Sequence, residues 1–138
     1  MAETLLRHID SRNFEAFSAG PTRERGVHPL CVEVMKEVGM EMLPETSFQE
    51  LPAQRFDLVI TLDELSVKQN YAALAPETIH WKFQNPSAVT DSRQQRRAFL
   101  AVRDQIAHRI RLMAIVHTRA ERVMVASAGL RSYTNPLV

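Results

Sequence analysis

The chain has 138 residues, of which 45% are hydrophobic and 24% are charged. That composition suits one folded domain and excludes a wholly disordered chain. Lys and Arg number 17 against 16 Asp and Glu, a formal charge of +1, which gives no electrostatic basis for a nucleic-acid or anionic-membrane binder.

The first eight residues, Met-Ala-Glu-Thr-Leu-Leu-Arg-His, start a helix over 2–9, with Leu5, Leu6 and Ile9 on one face and Glu3 in the first turn. Asn13 to Ser18 alternates apolar and polar residues and predicts a short strand, broken by Ala19-Gly20-Pro21. Pro29 opens a second helix. Leu30, Val34, Met35 and Val38 follow at helical spacing, and Gly39 is its stop. A short helix is expected from Ser47 to Leu51, ended by Pro52.

Phe56 to Leu62 is the clearest strand. Its run Leu58 to Leu62 is too apolar for a strand with one wet face and fits a parallel strand covered on both sides. Glu64 to Leu74 is expected to be helical, and Thr78 to Trp81 to be a shorter strand. Asp91 is an N-cap, with Gln94 three positions on. Phe99, Val102, Ile106, Ile110 and Met113 then mark one face of a long helix. Strands alternating with helices predict an α/β domain with a mainly parallel sheet.

Cysteine use narrows the chemistry. Cys31 is the single cysteine, so neither an intramolecular disulfide nor a cysteine-based zinc site can form. A reducing, cytoplasmic setting is the expectation. The longest apolar run, Leu112 to Val116, is far below the roughly 20 residues that cross a bilayer. The five histidines, at 8, 28, 80, 108 and 117, have no metal-ligand spacing. No metal and no cofactor is expected.

In order and spacing these segments resemble the low-molecular-weight protein tyrosine phosphatase and arsenate reductase family. The matching pieces are Met1 to His8, Phe-Ser-Ala-Gly at 17–20, Val-His-Pro-Leu at 27–30, Glu33 to Gly39, Phe56 to Leu62, Trp81 to Pro86 and the helix over 92–112. His80-Trp81-Lys82-Phe83 ahead of Asn85-Pro86 resembles the arsenate reductase branch more closely. The resemblance implies a three-layer fold, a four-stranded parallel sheet flanked by helices. It also implies a Cys-x5-Arg loop ahead of the opening helix, where backbone N–H groups and the Arg hold an oxyanion and the thiolate attacks.

The chemistry departs from that pattern. The first strand and the Cys loop are missing from these 138 residues. The general-acid aspartate of the family falls on Asn85, whose amide can hydrogen-bond but cannot act as an acid. Asp63 and Glu64 stand where resolving cysteines are expected. Cys31 has Glu37 six positions on, not Arg, and sits in an apolar helical stripe. The expected reading is therefore an arsenate reductase-like or phosphatase-like domain that is inactive as given. The alternative is a truncated enzyme whose fuller form reduces arsenate or hydrolyses phosphate monoesters through cysteine.

The absent strand belongs in the middle of the sheet, so something should occupy its slot. Two domain parts follow: the α/β domain at 1–116 and an extension at 117–138. In the extension Val123 to Ala126 could form a replacement strand, in its own chain or swapped into a second copy. Ser127-Ala128-Gly129 would then form a small-residue turn that brings Arg131 to an anion. Equally, Arg119, Ala120, Glu121 and Arg122 favour simple continuation of the long helix. The expected partners are a further copy of the chain and an oxyanion ligand, with neither nucleic acid nor membrane.

Overall fold

The computed structural model describes residues 1–20, 26–44, 46–47, 50–51, 55–63 and 74–132, with 118–132 described for the backbone only. The elements run α1 (Ala2–Asp10), α2 (Pro29–Lys36), β1 (Leu58–Thr61), β2 (Glu77–His80) and α3 (Ser92–Ser132), with a 3₁₀ turn at Pro86–Ala88 before α3.

Each helix has a local cause. In α1, Leu5 is buried and Glu3 pairs with Arg7 one turn on, at 2.8 Å. In α2 the His28 imidazole caps the first turn, its Nδ1 accepting from Leu30 N–H at 3.2 Å, and Pro29 fills the first position, where no donor is needed. The end of α2 is a paired closure. Met40 N–H reaches back to Met35 O at 3.0 Å and Gly39 N–H to Lys36 O at 2.9 Å, with Gly39 at φ 73°. Asp91 accepts from Gln94 N–H at 2.8 Å and so caps α3 as its sequence position predicts.

β1 and β2 form a parallel pair in the register Leu58↔Glu77 to Thr61↔His80. The expected strand at Asn13 to Ser18 does not join it. Asn13 lies in the turn after α1, residues 14–19 form no regular element, and Gly20 makes an isolated bridge to Ser47. Side chains tie the segment to α1 instead. Arg7 donates to Ala16 O through Nε at 3.2 Å and Nη2 at 2.8 Å, and Ser18 donates to Glu3. The helix expected from Glu64 to Leu74 lies outside the described residues except for Leu74. The Ser47 to Leu51 helix lies partly outside them; Glu50 N–H donates to Ser47 O at 3.0 Å there.

The predicted face of α3 is the spine of the core. Ile106, Ile110 and Met113 are buried with Leu5, Met35 and Trp81, and Phe99 closes a second cluster with Cys31 and Val34. Polar ties add to the apolar contact between α3 and α2. Arg103 donates to Val34 O at 2.8 Å, and Arg96 pairs with Glu33 at 3.1 Å and with Glu37. The hydrogen bond to Glu33, then the charge of Glu37, raise the Arg96 guanidinium pKa above its ordinary value.

Val123 to Ala126 is helical, so the strand alternative for the tail is corrected: α3 runs on to Ser132. Extending an established helix adds one hydrogen bond per residue with no new nucleation cost, and this stretch is rich in good helix formers. The small-residue turn expected at Ser127-Ala128-Gly129 does not form. Arg131 lies in the last helical turn, not on a loop.

Candidate functional site

Two features stand out, both involving β1. The first is the last rung of the strand pair. Thr61, 4% exposed, is the only buried polar residue among those described, and its Oγ1 lies 2.7 Å from His80 Nδ1. Immediately after it Trp81 and Phe83 meet edge to face at 6.4 Å, and the Arg109 guanidinium sits 5.9 Å from the Trp81 ring centre and 4.8 Å from that of Phe83. The Thr61–His80 and Arg109–aromatic partnerships are not visible in sequence, because 19 or more positions separate their members. In open α/β sheets the carboxyl ends of strands are where ligands gather, and Thr61, Leu62, Asp63 and Trp81 at this end line the cleft described next.

The second feature is a cleft of about 600 Å³ between the 13–19 segment and β1. Leu6, Ile110 and Met113 line it from the helices, and Leu58 and Ile60 from the strand. Leu58, Val59 and Ile60 are therefore half-buried, where the sequence predicts a strand covered on both faces.

Neither Cys31 nor Asn85 lines the cleft. Cys31 is buried on α2 beside Val34 and Phe99, as its apolar stripe predicts. Asn85 is exposed after β2, and its Oδ1 accepts from Ser87 N–H at 3.0 Å, capping the 3₁₀ turn. The side chain of Arg131 is outside the described residues. Among the described residues no three His, Cys, Asp or Glu side chains cluster as a metal site, and no helix is long and apolar enough to cross a membrane.

A helix-flanked parallel strand pair with a long closing helix defines an α/β domain. Residues 1–121 match the family described as low molecular weight phosphotyrosine protein phosphatase, and the chain belongs to it. Among curated relatives, the arsenate reductase of Halalkalibacterium halodurans is 35% identical over 119 residues, covering 83% of this chain and 84% of its own. The arsenate reductase of Shouchella clausii is 31% identical over 120 residues, with the same coverage. A solved arsenate reductase in the reduced state superposes with a TM-score of 0.65 at 22% identity, over 81% of this chain and 83% of that one. The likeness in structure establishes the fold.

Proposed function

We propose that this chain is a non-catalytic member of the arsenate reductase and phosphatase family, a cytoplasmic domain that acts by binding a partner. The observation that carries this reading is the place of its one thiol. Catalysis of this type needs a thiolate among N–H donors with an Arg six positions past it. Cys31 is 8% exposed, lies inside α2 and packs on Val34 and Phe99. The residue six positions on is Glu37, which pairs with Arg96. A carboxylate there would repel the oxyanion that an Arg would hold.

Asn85 supports the same reading. Its amide oxygen is engaged as a cap, and the side chain has no acidic proton to give. Within these 138 residues the frame is kept, while the one cysteine has no Arg six positions on and the acid position carries Asn85.

The test is direct. Purified chain mixed with an aryl phosphate should show no burst, and arsenate should cause no consumption of added thiol. Turnover above the blank that disappears on Cys31→Ser would overturn the reading.

A further inference from the structure

Charge divides this chain unevenly. The helix α3 carries nine arginines against two acids, Asp104 and Glu121, while the rest of the sequence holds 8 Lys and Arg against 14 Asp and Glu. The formal charge of +1 is thus the balance of a basic helix and an acidic remainder. From Gln105 to Ala120 the helix has no acid at all. Part of its charge is engaged within the fold. Arg96 pairs with Glu33 and Glu37, Arg103 with Asp104, and Arg109 lies on Trp81 and Phe83. Arg111 is exposed, and among the described residues no carboxylate pairs with it.

The same side of α3 is apolar. Leu112, Ile115 and Val116 are 52%, 50% and 64% exposed, three of the four exposed large hydrophobic residues among those described. Their spacing puts them on one face, with the exposed His108 one turn ahead of Leu112 and Arg111 at the edge. Ile110, Met113 and Ala114 are buried on the opposite side of the helix, and Ile110 and Met113 also line the cleft. The exposed face is therefore turned away from both the core and the cleft.

A helix offers a partner its side chains only, because its main-chain groups bond to one another. An aliphatic ridge at this spacing is complemented by the ridge and groove of a second helix, and the cations beside it by acids. We infer that the face of Leu112, Ile115 and Val116 docks an acidic amphipathic helix of another protein, with Arg111 meeting a carboxylate of that helix. The inference rests on the reading of this chain as a partner-binding domain and names the kind of partner. An anionic bilayer fits less well: a formal charge of +1 provides no long-range attraction, and the face has three aliphatic residues and no aromatic one. A second copy fits less well too, since a two-fold pairing of this face sets one basic surface against another.

The experiment titrates a capped helix-forming peptide, with leucine along one face and glutamate on the others, into the full chain, read by methyl NMR. The methyl signals of Leu112, Ile115 and Val116 should shift. Arg111→Glu should weaken binding about tenfold, and Ile115→Ser combined with Val116→Ser at least about tenfold, each at an unchanged urea midpoint because these side chains are exposed. The peptide with lysine in place of glutamate keeps its leucines, reverses its charge and should not bind. No shift at about 1 mM peptide, equal binding of the lysine peptide, or shifts confined to another face would overturn the inference. So would tighter binding to vesicles of anionic lipid than to the peptide, or a free chain that is dimeric through this face, since the occupant would then be a bilayer or a second copy. Any of these failures leaves the absence of turnover standing, so this inference and the non-catalytic reading fail separately.

Discussion

Thr61 and His80 occupy the same rung of the parallel pair, and their side chains meet, Oγ1 to Nδ1, at 2.7 Å. The bond satisfies the one buried hydroxyl at the end of β1. Thr61→Val keeps the shape of the side chain and deletes the bond, leaving a His80 nitrogen that water can still reach. The expected loss is about 1 kcal/mol, read as a lower urea midpoint at unchanged slope. Thr61→Ser should retain most of the stability.

Gly39 closes α2 at φ 73°. A Cβ built there meets nothing within 4 Å, so the cost of a side chain is conformational and not steric crowding by neighbours. Gly39→Ala should lose about 1 kcal/mol, and Gly39→Asn less, because Asn tolerates the left-handed region better. Thermal unfolding of the two variants side by side checks the order.

Cys31 should be slow to react. It is buried between α2 and α3, so a thiol reagent reaches it through opening of that packing. Native labelling by an aromatic disulfide should run at least about a hundredfold slower than labelling in denaturant. Labelling at the denatured rate under native conditions would place the thiol at the surface.

Met35 is fully buried in the core cluster it shares with Leu5, Trp81 and Ile110. Met35→Ala should cost about 2–5 kcal/mol, the range for large-to-small changes at closed sites, and should be measurable by denaturant titration.

The helical tail makes a separate prediction. Val125→Pro removes a donor and clashes with the preceding turn, a cost of about 3 kcal/mol in a helix interior. Because the segment lies near the end of α3, the result should be local unwinding, seen as reduced ellipticity at 222 nm with the urea midpoint of the core retained. An unchanged 222 nm signal would mean that Val125 is not helical.

The sequence alone determined the elements whose pattern is local and repeated. The α3 face from Phe99 to Met113, the Asp91 cap, Pro29 and Gly39 bracketing α2, and the buried Cys31 were all legible, since each depends on residues within a turn or two. The family was legible for the same reason, from ordered short segments. Tertiary structure decided what depends on residues far apart in the chain. Asn13 to Ser18 has strand alternation, but a strand needs a neighbour to bond to, and Arg7 and Glu3 hold this segment to α1 instead. Val123 to Ala126 has strand composition, yet it continues an established helix at no nucleation cost. The half-buried state of Leu58 to Ile60, and with it the cleft, could be seen only once the strand was placed, because burial is a property of what lies beside a residue and not of the residue itself.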